Sequence, residues 1–168
     1  MDEMLKAEIK DIYGRIADLE RQKKFPEVKE LLRQLLAMEL TPMLRAMALN
    51  NLSLIEEQMG NIPAALEAIE EARRIAPEGM QIYLWIEQVN LLDCHGRWTE
   101  SLELCCRIAN YSLAPESIRK TYQKKIDEIT KFQKTGKKPG GFLGGFLKNS
   151  IRLRQNVSID EKGNVTWL

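Results

Sequence analysis

Two amphipathic helical patterns follow each other between residues 49 and 77, and a short turn separates them. In each pattern, apolar residues recur at steps of three and four residues, which is the spacing of one helix face. Gly60 can adopt the left-handed backbone that ends a helix, and Pro63 fits the first turn of the next one. The stretch therefore predicts a helical hairpin. Its small residues Ala65 and Ala72 would let another helix approach closely.

Similar connectors recur along the chain. The sequences FPEV, IPAA and WTES begin at Phe25, Ile62 and Trp98, so they lie 37 and 36 residues apart. A period of this length is typical of stacked helical hairpins. We expect seven helices within residues 1–135, and the last, after Pro115, would be a charged capping helix.

The central hairpin carries residues with the spacing of a known repeat: Leu49, Leu52, Gly60, Ala65, Ile69, Ala72 and Pro77. It resembles the tetratricopeptide repeat, and the resemblance covers about three units over residues 9–111. Ser53 and Glu56 depart from the family pattern, which usually has glycine and an aromatic residue at these places. The resemblance implies an all-α fold, a right-handed superhelix of stacked hairpins whose first helices line a concave groove.

In this family the groove holds a peptide segment of a partner protein. The resemblance implies a groove lined by Met47, Asn50, Asn51, Leu54, Gln58, Tyr83, Glu87 and Asn90. This mixture suits a neutral or mixed peptide. The basic residues with which some tetratricopeptide proteins hold acidic chaperone tails are missing from these positions. The expected function is a non-enzymatic interaction module, acting as an adaptor, a scaffold or an assembly chaperone.

Catalysis has little support in the sequence. The 168 residues include one histidine, His95, and three cysteines that lack metal-ligand spacing. The adjacent acidic residues Glu56 and Glu57 are typical of a solvated helix face. We therefore expect no enzyme, no metal and no cofactor. A cytoplasmic location is expected, because the chain has no apolar run long enough to span a bilayer and no signal-peptide pattern.

The composition changes at residue 136. Residues 1–135 hold 19 basic and 22 acidic residues, whereas residues 136–168 hold 6 basic and 2 acidic ones. We therefore predict a helical repeat domain over 1–135 and a basic, glycine-rich tail over 136–168. Within the tail, Ile151–Ile159 alternates in the manner of a strand and could pair with residues 165–168 as a β-hairpin.

Two interpretations of the tail stay open. Its side chains could dock on the helical domain or on a second copy of the chain, which would give a homo-oligomer. Alternatively, its basic and aromatic composition could bind an anionic membrane surface or a nucleic acid. The residues expected to dock are Phe142, Leu143, Phe146, Leu147, Arg152, Arg154 and Trp167.

Overall fold

The computed structural model describes residues 3–136, 157–159 and 165–167. Within these ranges the chain forms seven helices, which confirms the predicted number. They are α1 (Glu3–Arg21), α2 (Phe25–Leu36), α3 (Pro42–Gln58), α4 (Ile62–Ile75), α5 (Glu78–Cys94), α6 (Trp98–Asn110) and α7 (Glu116–Thr135).

Two short strands follow the helices in the described part of the tail. They are β1 (Val157–Ile159) and β2 (Val165–Trp167). The strands pair antiparallel, with Val157 opposite Trp167 and Ile159 opposite Val165. The predicted β-hairpin is thereby confirmed over these six residues.

The chain divides into two compact units, residues 1–77 and 78–168. In the first unit α1 packs on α2, α2 on α3, and α3 on α4. In the second unit α5 packs on α6 and α6 on α7. Packing between consecutive helices is the arrangement expected of stacked hairpins. The superhelix, its hand and the extent of the repeat domain stay predictions.

The core of the first unit is built from aliphatic residues at helical spacing. One face of α1, one face of α2 and two residues of α3 meet in a single cluster. Its buried members are Ile9, Ile12, Ile16, Val28, Leu31, Leu32, Leu35, Ala48 and Ile55.

Helices α3 and α4 approach closely through small side chains. Ala65 and Ala72 are fully buried in α4, and Ser53 is buried in α3. The Ser53 hydroxyl donates a hydrogen bond of 2.7 Å to the backbone oxygen of Ala65. A larger side chain at any of the three positions would push the helices apart. Ser53 is small enough for this close approach, and its hydroxyl is paired.

Aromatic contacts join the helices of the second unit. Trp98 of α6 packs edge-on against Phe132 of α7, with ring centroids 5.6 Å apart. Trp85 of α5 packs in the same way against Tyr111, which follows α6, at 5.0 Å. Edge-to-face pairs of this kind stabilise a fold by about 0.5–1.5 kcal/mol beyond the area that they bury. The first pair connects α6 to α7, and the second connects α5 to the segment that follows α6.

The three hairpin turns have one hydrogen-bond pattern. In the turn after α3, the Gly60 N–H donates to the Glu57 oxygen and the Asn61 N–H donates to the Glu56 oxygen. The turns that follow α1 and α5 repeat both bonds at the corresponding positions. The central residue has a positive φ in each case: 57° at Lys23, 78° at Gly60 and 70° at Gly96. This is the Schellman end of a helix, and it confirms the turn predicted at Gly60.

The left-handed backbone at Gly60 leads to a prediction about the free energy of unfolding. A Cβ atom at Gly60 would have no heavy atom within 4 Å, so Gly60→Ala would act through backbone strain alone. We expect this variant to be destabilised by about 1–2 kcal/mol in urea denaturation.

Gly14→Ala is the matched control, because Gly14 lies inside α1 and a Cβ atom there also has open space around it. It should stabilise the chain by about 0.5–1 kcal/mol, since alanine loses less entropy in a helix. Equal effects of the two substitutions would contradict the role given to the Gly60 turn.

Candidate functional site

Four of the predicted groove residues lie in one row on α3. Met47, Asn51, Leu54 and Gln58 recur at steps of four, three and four residues, so they share one side of the helix. Met47, Asn51 and Leu54 are half-buried and Gln58 is exposed. The opposite side of α3 is buried, including Leu49 and Glu56. One long side of α3 is thus partly exposed, although the helix packs against α2 and α4.

Met43 extends this row by one turn towards the start of α3, and it too is half-buried. Met43 was not among the residues predicted for the groove, although its spacing of four residues from Met47 was the signal that could have identified it. We call the five residues Met43, Met47, Asn51, Leu54 and Gln58 the α3 stripe. They are two methionines, a leucine and two amides, and none of them carries a charge.

The other predicted groove residues are buried. Asn50 is buried on α3, next to the α3 stripe. Tyr83, Glu87 and Asn90 form a row on α5 at steps of four and three residues, and all three are buried. The two rows lie in different compact units. A role of these four buried residues in peptide binding stays a prediction.

The side-chain amide of Asn90 lies among the buried side chains of α5. Its side-chain nitrogen is enclosed, and no hydrogen-bond acceptor reaches it in the described part of the chain. An enclosed amide without an acceptor costs about 1–3 kcal/mol of stability.

The predicted docking residues of the tail fall outside the described side chains. Phe142, Leu143, Phe146, Leu147, Arg152 and Arg154 lie in the range 137–156, and Trp167 is described only through its backbone in β2.

A buried carboxylate joins α3 to α2. Glu56 accepts a contact of 2.7 Å from the Lys29 amine of α2 and a hydrogen bond of 3.1 Å from the side-chain amide of Asn61. The expectation of a solvated Glu56 was therefore wrong, because its side chain is 6% exposed and both of its oxygens have partners.

A second buried carboxylate lies in the other unit. Asp93, near the end of α5, accepts a hydrogen bond from the Ser101 hydroxyl of α6 and pairs with the Lys125 amine of α7. The Lys125 side chain is 1% exposed and that of Asp93 is 8% exposed. The charged capping helix thus buries one of its lysines. We name Asp93, Ser101 and Lys125 the α5–α7 bridge.

Two titratable side chains, Cys105 and Tyr122, lie beside the α5–α7 bridge. The Cys105 sulfur lies 4.0 Å from the Ser101 oxygen, and burial raises the pKa of the Cys105 thiol to about 12. Burial also raises the pKa of Tyr122 well above its usual value. Both groups are therefore neutral at physiological pH, and a neutral thiol is a poor nucleophile. The cluster is suited to holding helices together rather than to chemistry.

The remaining candidate groups for chemistry are dispersed. His95 is exposed in the turn after α5. Across residues 3–136 and the two short strands, no group of three or more histidine, cysteine, aspartate or glutamate side chains could hold a metal ion. In the same ranges, no helix is both long enough and apolar enough to cross a bilayer.

Comparison of the chain with protein-family models, with curated proteins and with solved structures finds no match.

Removing one charge of the α5–α7 bridge should destabilise the protein more than removing both charges. Lys125→Met should destabilise the protein by about 3–5 kcal/mol, because it leaves the Asp93 carboxylate buried without its cation. The double variant Asp93→Leu with Lys125→Met should recover most of this loss, because it removes both charges at once. Thermal or urea denaturation of the wild type, the single variant and the double variant measures their free energies of unfolding.

The control for this prediction is an exposed pair in the same helix. Lys120 and Glu116 are 2.6 Å apart with side chains 73% and 69% exposed, so Lys120→Met should cost less than about 1 kcal/mol. If Lys125→Met were as mild as Lys120→Met, the bridge would not hold α7 in place.

The three cysteines should differ in reactivity. Cys94 and Cys106 are exposed, whereas Cys105 is buried with its raised pKa. At pH 8 we expect iodoacetamide to modify Cys105 on the order of 100-fold more slowly than the other two thiols, since little thiolate forms below a pKa of about 12. Mass spectrometry of the peptides measures each site. Modification of all three at one rate in the folded protein would be inconsistent with this interior, and urea should equalise the rates.

Proposed function

We propose that this chain is a non-enzymatic protein-interaction module that binds a peptide segment of a partner protein along the α3 stripe. The observation that carries the proposal is the partly exposed side of α3. This helix packs against the helices on either side of it in sequence, yet Met47, Asn51 and Leu54 stay half-buried and Gln58 is exposed, in one continuous row.

The dimensions of the stripe suit a short peptide. From Met43 to Gln58 the helix rises about 1.5 Å per residue, so the row is roughly 22 Å long. An extended peptide rises about 3.3 Å per residue, so about seven residues would cover the row. The α3 stripe is therefore long enough for a linear motif and too narrow for a folded domain.

The chemistry of the stripe indicates what such a peptide would contain. Met43, Met47 and Leu54 offer apolar surface, and methionine adapts its shape to different side chains. Asn51 and Gln58 each offer a donor and an acceptor, which match the backbone groups of an extended chain. Because none of the five residues is charged, we expect a neutral, partly apolar peptide, and binding that changes little with salt.

The fold supports this function by keeping the stripe rigid. Helix α3 is held by the Ser53 hydrogen bond to α4 and by the Glu56 contact with Lys29 of α2. A rigid surface loses little conformational entropy when it binds a ligand. The proposal also agrees with the resemblance to tetratricopeptide repeats, a family of peptide-binding adaptors and scaffolds. A cytoplasmic site of action belongs to the same proposal.

The double variant Asn51→Ala with Leu54→Ala tests the stripe. Peptides selected for binding to the wild-type chain from a random display library would be synthesised and measured by fluorescence anisotropy. We expect the double variant to bind them at least about tenfold more weakly, a loss of about 1.4 kcal/mol, because it removes one amide and one apolar anchor. Circular dichroism should show unchanged helix content, since both side chains are partly exposed.

Asn110→Ala with Leu113→Ala is the matched control. These two residues have the same types and the same spacing, and both are exposed at the end of α6 and in the turn after it. The control should leave peptide affinity unchanged. If no selected peptide depends on Asn51 and Leu54, or if the control weakens binding equally, the α3 stripe is not the binding surface.

A further inference from the structure

Two aromatic rings meet beside the first half of α5 in the second unit. The Trp85 ring of α5 and the Tyr111 ring, which follows α6, have centroids 5.0 Å apart and planes inclined at 78°. In such an edge-to-face pair, the ring that presents its edge keeps both of its faces clear of the other ring. The two rings therefore form the walls of a corner.

Both rings are partly accessible to solvent, because Trp85 and Tyr111 are half-buried. The Trp85 nitrogen Nε1 is enclosed, and no acceptor in the described part of the chain is within hydrogen-bonding distance of it. The accessible area of this indole therefore belongs to its ring carbons. The corner thus presents π surface to solvent, and the indole N–H is not part of that surface.

A carboxylate lies beside the two rings. Glu78 and Trp85 are seven residues apart, so they share one side of α5 and lie roughly 10 Å apart along its axis. Burial and, less strongly, the negative charge of Glu78 raise the pKa of the Tyr111 hydroxyl, so the carboxylate is close to Tyr111. We name Glu78, Trp85 and Tyr111 the aromatic corner.

The described residues leave the negative charge of this corner uncompensated. Glu78 is exposed, and no lysine, arginine or histidine of residues 3–136 forms an ion pair with it. Within the same range no cation lies over the Trp85 or Tyr111 ring, whereas Lys125 does lie over the Tyr122 ring, 5.9 Å from its centroid. The aromatic corner is thus suited to a cation supplied from outside these residues.

We propose that the aromatic corner binds the guanidinium group of an arginine side chain of a partner protein. The face of an aromatic ring attracts a cation through the ring quadrupole, and tryptophan does so most strongly. A guanidinium group is planar, so it can stack on a ring while its fork of N–H donors reaches a carboxylate. The inference is independent of the α3 stripe, which belongs to the other unit.

Other side chains suit the aromatic corner less well. The ammonium group of lysine is compact and strongly hydrated, so it loses more solvation at a partly buried site and cannot stack on a ring. An apolar side chain would cover the Glu78 carboxylate without offering it a hydrogen-bond donor, and burying an unpaired charge is unfavourable. Arginine alone combines a flat cation with several donors.

The members of the corner also have ordinary roles, but these roles do not explain the combination. A glutamate in the first turn of a helix complements the helix dipole, and Glu78 has this position in α5. That role does not require aromatic rings beside the carboxylate. Helix α7 also has a glutamate in its first turn, Glu116, and that one is paired with Lys120.

NMR titration of the isotope-labelled full-length chain with N-acetyl-arginine amide tests the proposal. The chain has three tryptophans and hence three indole N–H signals, which single Trp→Phe variants assign. We expect the Trp85 signal to move at least about threefold further than the Trp98 signal. Trp98 also lies in an edge-to-face pair, but the carboxylate nearest to it in sequence, Glu100, is already paired with Arg97.

The neutral probe N-acetyl-citrulline amide has nearly the same shape as the arginine probe, and it should move the Trp85 signal at least about threefold less. N-acetyl-lysine amide should have an intermediate effect, because it is charged but cannot stack. Glu78→Gln should reduce the response of Trp85 to the arginine probe at least about threefold, since it removes the charge and keeps the size of the side chain.

Glu116→Gln is the matched control, because it removes an exposed first-turn carboxylate from α7. This control and the Asn51→Ala, Leu54→Ala variant should both respond to the arginine probe as the wild type does. Equal movement of the Trp85 and Trp98 signals, an equal response to the citrulline probe, or an unchanged response in Glu78→Gln would overturn the proposal.

Discussion

The geometry of each unit depends on how one helix turns into the next. Because packing runs between consecutive helices, the turn decides which faces meet. All three hairpin turns have the same pair of backbone hydrogen bonds, and in each the central residue has a left-handed backbone conformation. Two of them use glycine and one uses Lys23, whose side chain makes that conformation less favourable by about 1–2 kcal/mol. The first turn therefore keeps the same shape with a residue that suits it less well than glycine.

Buried charges add a second constraint to these turns. Glu56 and Asp93 lie in the last turn of α3 and near the end of α5, and each contacts a residue of the following turn or helix and a lysine of another helix. Burying a carboxylate is costly unless its partners are in place. A wrong alignment of α2 on α3, or of α7 beside α5, would leave a charge enclosed without compensation. The two bridges thus favour one alignment, whereas apolar contacts alone tolerate small shifts.

The sequence predicted those features of the fold that depend on residues close together in the chain. Turn spacing and apolar periodicity were sufficient to predict seven helices, because a helix and its ends depend on residues close in sequence. Burial of polar side chains was not predictable in this way. Glu56 has the appearance of a solvated residue beside Glu57, and Lys125 lies in a run of charged residues on α7. Their burial depends on partners 27 and 32 residues away in sequence, Lys29 and Asp93, and helical periodicity carries no information about such pairs.

Residue type alone does not predict which helix face is exposed, as a comparison of two hairpins illustrates. A shift of 36 residues, the repeat period, carries Met47 to Tyr83, Asn51 to Glu87 and Leu54 to Asn90. Equivalent positions are therefore half-buried on α3 and buried on α5. The row on α5 contains a carboxylate and an amide, so it is the more polar of the two, yet it is the covered one. Polarity thus does not distinguish an open surface from a closed one in this chain. Exposure depends on what packs beside each helix, and the proposal of a binding surface on α3 therefore starts from the partial exposure of that row.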